Sequence, residues 1–520
     1  MLILLYYEHI VEDFVILIAL FCMPSIRKIK TASGATAIQV VSYRNRKVVL
    51  LKHIGSAHSE EEISILTEYA KSYIEKKGGQ LSIFPSSTDE ILSLKHTQYL
   101  YSGHNFAREF LLSTAKECQL MWLSPIVLDL VIMRIIEPTS KLRTLELIER
   151  YFHIHYGKST YKTFQKIINR KAEIERASLS VVKNIFSENI YFVLYDVTTL
   201  YFETYHQDDL RVTGYSKDDK SKQPQIVIGL LVTKSGFPLA HEVFSGNTFE
   251  GKTMLPVLEN FSKTHNVAMP IVVADAAMLS EKVLSQLREQ NISYIVGARV
   301  ANLSFDIIKD ISEKLNKQDG RVLRIPSKHG QMICSFSKVR YKKDKREMEK
   351  QIQKAEKLVA RNESGSRAKF VHKTKSHSVE MNKELITKTN LLLGIKGYCT
   401  NINEDVLSNS DVIKYYHELW HVEQAFRMSK SDLASRPVFH HKENAIRAHV
   451  LVCFMALMLA KYLEIVSGLS IRRLRDLIWN VTDAYIRDNI ACKTFILRSP
   501  IDEISKTKLG ALLKKWNLSY

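Results

Sequence analysis

The sequence is poor in cysteine, and the few it has are scattered. Cys22, Cys118, Cys334, Cys399, Cys453 and Cys492 are spread over 520 residues. No C-x-x-C pair occurs, which argues against zinc ribbons and thioredoxin-type sites. A disulfide scaffold would be denser, so these read as thiols of a reducing compartment, the cytoplasm. A long apolar run is missing from the N-terminus. Phe14 to Cys22 is shorter than a bilayer span, and Glu8, Glu12 and Asp13 stand where a signal peptide carries basic residues. Internal repeats and low-complexity tracts are absent. Acidic charge is in deficit: 55 Asp+Glu against 74 Lys+Arg leave a net charge of +19.

What is present is globular. A 45% hydrophobic, 25% charged composition excludes a disordered chain, a collagen-like fibre and a polytopic membrane protein. The positive surplus points to a polyanionic partner, with nucleic acid ahead of a membrane surface. The length predicts two to four domains. Met23 opens the first globular pattern, so translation is expected to begin there, with residues 1–22 a non-native or unpacked extension.

Residues 36–53 alternate apolar and polar around Asn45 and Arg46, which predicts a hairpin. Residues 59–78 read as a helix capped by Ser59, with Ile63, Leu66, Tyr69, Ala70 and Tyr73 at helical spacing. The pattern from Asn105 to Tyr151 is helical with a break at Pro138. From 191 the texture becomes that of a sheet: "YFVLYDVTTLYF", then "QIVIGLLVT" and "FPLAHEVF" around a Lys234-Ser235-Gly236 turn. Helices at 251–263 and 280–290 separate "PIVVADAAM" from "SYIVGAR". The order predicts a mixed sheet with helices on its faces, an α/β protein. Residues 300–395 combine strand-like pieces at 321–326 and 331–340 with a very basic stretch whose middle, 342–361, reads as a charged helix. A returning strand is expected at 390–402, a buried core helix at 441–468, and a short helical tail at 469–520.

Three acids stand out. Asp196 lies in an apolar strand and Asp275 follows "IVVA". A carboxylate there is expensive to desolvate without a partner, and a divalent cation is one such partner. A strand-end cap or an ion pair is the plainer reading of each alone; two on neighbouring strand ends say more. Glu423 is the third. Tyr416, Glu423 and Lys430 recur every seven residues, near one helix face, with Arg427 a turn beyond the acid and Trp420, Val422 and Phe426 forming an apolar side. That seam suits an anionic substrate, although an amphipathic helix with a Glu–Arg pair on its wet side has the same pattern. "RPVFHH" (436–441), with Arg436, His440 and His441, reads as a structural turn.

With these residues in view, "YDVTTLYFE" (195–203), the 208–253 stretch, "VVADAAMLS" (272–280) and "YIVGAR" (294–299) resemble the IS4 superfamily of bacterial insertion-sequence transposases, most closely its IS1634-like branch. That family's Y-x₂-R-x₃-E-x₆-K signature matches at Tyr416, Glu423 and Lys430, and departs at Leu419, which stands at the arginine position. The resemblance implies a ribonuclease-H-like mixed sheet with flanking helices, interrupted by a β-rich insertion domain and preceded by a mainly helical N-terminal region. It divides the chain into 23–185 (hairpin and helices for DNA binding or dimerisation), 186–299 (first part of the core), 300–395 (basic insertion), 396–468 (second part, bearing the glutamate helix) and 469–520 (helical tail). It further implies a catalytic, metal-holding triad of Asp196, Asp275 and Glu423 and two Mg²⁺ ions, with Mn²⁺ as substitute. Tyr416, Arg427 and Lys430 would contact DNA. The partners would be terminal inverted repeats and target DNA, met as a homodimer without a membrane. The activity would be strand cleavage followed by transfer of the freed 3′-hydroxyl. A transposase-derived DNA-binding protein without catalysis, and a metal-dependent nuclease that cuts but never joins, are the alternatives. A carboxylate-pair glycosidase fits the basic charge poorly.

Overall fold

The structure, a computed structural model, describes residues 24–44, 47–78, 97–157, 164–215, 222–276, 280–328, 330–361, 369–373, 379–489 and 493–518. The expectations for residues 1–22 and Met23 lie outside these.

The chain opens with β1 (Ser25–Lys30), β2 (Thr36–Arg44) and β3 (Lys47–Ala57), an antiparallel sheet that extends the expected hairpin by one strand. α1 (Glu60–Gly78) follows. Ser59 Oγ accepts from the Glu62 N–H, while Glu62 Oε2 accepts from the Ser59 N–H, a reciprocal capping box. Its Leu66, Tyr69 and Ala70 close a small core with Ile38 and Val40. After β4 (Thr97–Gly103) come α2 (Asn105–Glu117), α3 (Pro125–Ile136), α4 (Lys141–Phe152) and α5 (Lys171–Asn184).

The main sheet begins at β5 (Phe192–Tyr201), β6 (Gln225–Val232) and β7 (Pro238–Ser245), followed by α6 (Met254–His265), β8 (Ile271–Ala274), α7 (Glu281–Glu289) and β9 (Tyr294–Ala298). Next are α8 (Phe305–Leu315), β10 (Val322–Ser327), β11 (Gly330–Phe336), α9 (Lys338–Ala360), β12 (Val371–Lys373), β13 (Val379–Met381), α10 (Lys383–Leu391) and β14 (Ile395–Thr400). The chain continues through α11 (Asn409–His417), α12 (Trp420–Ser431), α13 (Glu443–Ser467) and α14 (Ile471–Trp479). It ends with β15 (Asp483–Asp488), β16 (Lys493–Arg498) and α15 (Glu503–Lys515).

Two compact units result: residues up to Phe106 with Trp479–Glu503, and Ala107–Ile478 with Ile504–Ser519. In the first, β15 pairs with both β16 and β4. The 469–520 segment is therefore not a purely helical tail; "DAYIRD" and "KTFILR" carry the β-branched and aromatic residues that pair well across strands. The expected 23–185 region likewise divides, its strands and α1 falling in one unit and α3 to α5 in the other.

The second unit carries eight strands in the order β10-β11-β14-β9-β8-β5-β6-β7. β5, β8 and β9 are parallel, and β6 runs antiparallel between β5 and β7. Every residue of β6 is buried, as a central strand covered on both faces requires. Residues 300–395 do not form a separate β-rich domain. β14 returns to pair antiparallel with β9, β11 pairs with β14, and β10 with β11, so the insertion widens the same sheet. Between these strands it is mostly helical, because "KVRYKKDKREMEKQIQKAEKLVA" favours a helix whose few apolar positions, Met348 and Ala355, pack on Phe370 and Leu393. α13 is the expected core helix. It is long and apolar enough to cross a membrane by length and composition, yet 78% of its apolar window is buried inside the protein. The four described cysteines, Cys118, Cys334, Cys399 and Cys453, are free and buried.

Candidate active site

β5 is held in the middle of the sheet from its back face. Tyr195 is fully buried and its hydroxyl donates to Thr253 Oγ1 at 2.8 Å. It passes over Gly229 of β6, where a Cβ would come within 2.4 Å of the phenol oxygen, so a glycine is needed there. Side chains alternate along a strand, so the next residue, Asp196, projects from the opposite face. Its Oδ1 accepts the Val197 N–H at 2.8 Å.

The parallel ladder of β5 and β8 pairs Tyr195 with Ala274. One residue on, Asp196 and Asp275 continue side by side, and parallel partners share a face, with strands about 4.8 Å apart. β8 ends at Ala274, so Asp275 is exposed at the strand's carboxyl end. Its Oδ1 accepts the Ala276 N–H at 2.6 Å and the Tyr416 hydroxyl at 3.1 Å. Tyr416, in α11 over β8, β9 and β14, is almost wholly buried. Burial and then the Asp275 charge raise its phenol well above the ordinary value.

Glu423 and Arg427 are exposed on α12, whose Val422, Ala425 and Phe426 are buried as the helix packs against β5 and β6. Glu423, Arg427 and Lys430 line a cavity of about 370 Å³ together with Asp196 and Arg436. Asp275 instead lines a larger cavity, about 1100 Å³, with Tyr416, Lys396 and Arg340.

Three expectations change. Tyr416 and Glu423 do not share one continuous helix: Glu418 and Leu419 form a tight turn, with the Leu419 N–H reaching the Tyr416 carbonyl and the His421 N–H that of Glu418. Trp420 is not on the apolar side; it is 52% exposed, its ring centroid 3.8 Å from that of His421 and tilted 30° to it. Tyr416 points at an acid and so turns away from open solvent. The Leu419 side chain is buried at the turn, where an arginine would need a path outward.

Two cations escaped the sequence reading. Lys396 of β14 sits 4.5 Å above the Tyr416 ring. Burial and then Arg340 lower its ammonium from the ordinary value, while Asp275 and Glu423 pull it back up, so it feels both carboxylates. The signal was a lysine inside the otherwise apolar "IKGYCT". Arg436, assigned above to a structural turn, lines the wall of the Asp196–Glu423 cavity.

The fold and these side chains define an α/β protein with two acid-bearing cavities, each bordered by cations. The family described as "Transposase DDE domain" matches residues 188–459, more than half of the chain and all three acids. The chain belongs to that DDE transposase family. Membership brings DNA transposition as the activity, DNA as the partner and a divalent metal ion as the usual cofactor. No curated protein matches the chain. Among solved structures, a cryo-electron-microscopy piggyBac transposase synaptic complex with hairpin DNA is similar at 11% identity and a TM-score of 0.33, over 81% of this chain and 77% of that one.

The donor set suits such an ion in kind, because hard cations take carboxylate oxygens. Among the described residues, though, no three His, Cys, Asp or Glu side chains are gathered closely enough to hold a metal. The Tyr416 hydroxyl also takes up an Asp275 oxygen. The donors fit, in an arrangement that must draw together to load.

Proposed function

We propose that this chain is the transposase of a bacterial insertion sequence, of the IS4 superfamily and its IS1634-like branch. It cuts at the element ends and joins the freed 3′-hydroxyls to target DNA. The observation that carries the reading is the pair Asp196 and Asp275, one residue past a parallel register match, with Glu423 on the wall that Asp196 lines. The order β7-β6-β5-β8-β9, with its first three strands antiparallel and its last three parallel, supports a ribonuclease-H-like core.

Asp196, Asp275 and Glu423 would hold two Mg²⁺, or Mn²⁺ in their place. Bound metal supplies charge neutralisation on the phosphate and a more acidic attacking hydroxyl. The chain's own groups position the strand. Arg427, Lys430 and Arg436 on the cavity wall neutralise backbone phosphates, Arg by paired N–H donors and Lys as a point charge. The Tyr416 hydroxyl, once it leaves Asp275, is a donor for a phosphate oxygen. Lys396 balances the two carboxylates it feels until cations replace it. The protein would act as a homodimer on paired element ends, in the bacterial cytoplasm at the nucleoid.

The test is cleavage and strand transfer on element-end DNA in Mg²⁺ or Mn²⁺. Asp196→Asn, Asp275→Asn and Glu423→Gln should each abolish both reactions while DNA affinity persists. Strand transfer at full rate by any of the three overturns the assignment. Cleavage without joined product by the unmodified protein would make it a nuclease.

A further inference from the structure

Next to the acid-lined cavity lies a second of about 360 Å³, bounded by α3, the start of α4, the 434–440 turn and α13. Arg134, Lys141, Arg143, Arg436, His440 and His449 line it, and among the described residues no carboxylate does. Three of these polar groups are almost wholly buried: Lys141 is 3% exposed, His449 4% and Arg134 5%. Their partners are neutral. Arg134 donates to the Ala434 and Thr139 carbonyls at 3.4 and 3.1 Å. His449 Nε2 lies 3.1 Å from the Ser435 carbonyl, so it carries the proton, and Nδ1 is the acceptor facing Lys141 Nζ at 3.4 Å.

Two buried basic side chains therefore sit together, and among the described residues no carboxylate lines the space beside them. Burial and then repulsion by Arg134 push the Lys141 ammonium well below its ordinary value. Burial and then Lys141 lower His440 to about 4. Such a pair costs stability unless an anion completes it. The N-terminus of the twelve-residue α4 opens on the same space through Ser140 and Lys141, adding the positive end of its dipole. Arg436 lines both this cavity and the one that holds Asp196 and Glu423.

We propose that this cavity binds a backbone phosphate of the DNA strand whose scissile bond lies in the neighbouring Asp196–Glu423 cavity. The shared Arg436 favours a strand running between the two over free phosphate. The identity of the strand rests on the transposase reading; the anion site does not.

The experiment uses the full chain with two probes, inorganic phosphate and a single-stranded oligonucleotide, in thermal melts and binding titrations at constant ionic strength. Inorganic phosphate at ten times its Kd should raise Tm by about 1–2 °C over chloride. Lys141→Met should erase that rise and weaken the oligonucleotide by about ten-fold. Lys141→Gln serves if the methionine variant does not fold. Asp196→Asn should keep the phosphate response whatever the cleavage assay shows, which separates this site from the catalytic assignment. No phosphate-specific rise in Tm overturns the anion site. A rise lost in Lys141→Met with oligonucleotide affinity unchanged overturns the DNA strand as its source.

Discussion

Replacing Tyr416 with phenylalanine should make the protein bind divalent cations more tightly in the absence of DNA. The hydroxyl donates to Asp275 Oδ1 at 3.1 Å, so a cation approaching that carboxylate must first break this bond. A hydrogen bond to a charged group contributes about 1.5–3 kcal/mol; Asp275 is exposed, so about 1 kcal/mol is the proper figure, or roughly five-fold in affinity. The phenyl ring of the variant keeps the buried volume, and Lys396 keeps its ring face. Gly297→Ala offers a second route to the same end. A Cβ there would stand 2.6 Å from the Tyr416 hydroxyl oxygen and 3.1 Å from Ala276 Cβ, so the phenol must move off Asp275. Mn²⁺ titration followed by electron paramagnetic resonance on DNA-free protein measures both. Each variant should bind Mn²⁺ about five-fold tighter. Unchanged or weaker binding in Tyr416→Phe would refute the idea that the hydroxyl competes with a cation for Asp275.

Two further outcomes concern stability. Asp129 is fully buried, paired with Arg108 at 2.7 Å and accepting the Tyr156 hydroxyl at 2.6 Å, so Asp129→Ala should cost about 3 kcal/mol in a urea melt by stranding the guanidinium; a loss below about 1 kcal/mol contradicts this. Burial lowers His241 to about 4, so between about pH 6.5 and pH 4 the unfolded chain binds a proton that the folded one refuses. Stability contributed by the neutral ring is complete above that window and is lost as pH falls through it. Tm should therefore drop from pH 7 to pH 4.5, and His241→Gln should flatten the slope.

Much of the eight-stranded sheet was readable because its strands carry strong local signals. "FVLYDVTTLY" and "QIVIGLLV" are β-branched runs bounded by turns, and Asp196 stands out as the one charged residue in the first of them. Ser59 announced its helix through a capping box that depends on neighbours three residues apart. The misreadings share a cause: each depended on partners far along the chain. Nothing local in "NLLLGIKGYCTNI" says that β14 pairs with β9 and draws the insertion into the sheet. The seven-residue spacing of Tyr416 and Glu423 assumed an unbroken helix, whereas burial of Leu419 at the turn ends one helix and begins another. Lys396 and Arg436 belong to the cleft only because the β14 ladder and the turn before α13 deliver them there.

The ladder between β14 and β9 also bears on how this enzyme could be trimmed or grafted. A segment hung on the outside could be cut away at its neck; this one cannot. Cutting it out together with β14 would bare the main-chain amides and carbonyls of Ile295 to Ala298 as a raw sheet edge, open to pairing with another molecule, and would discard the lysine beside the acids with the same cut. Shortened relatives should therefore lose length at the outer tips of this stretch and keep its last strand.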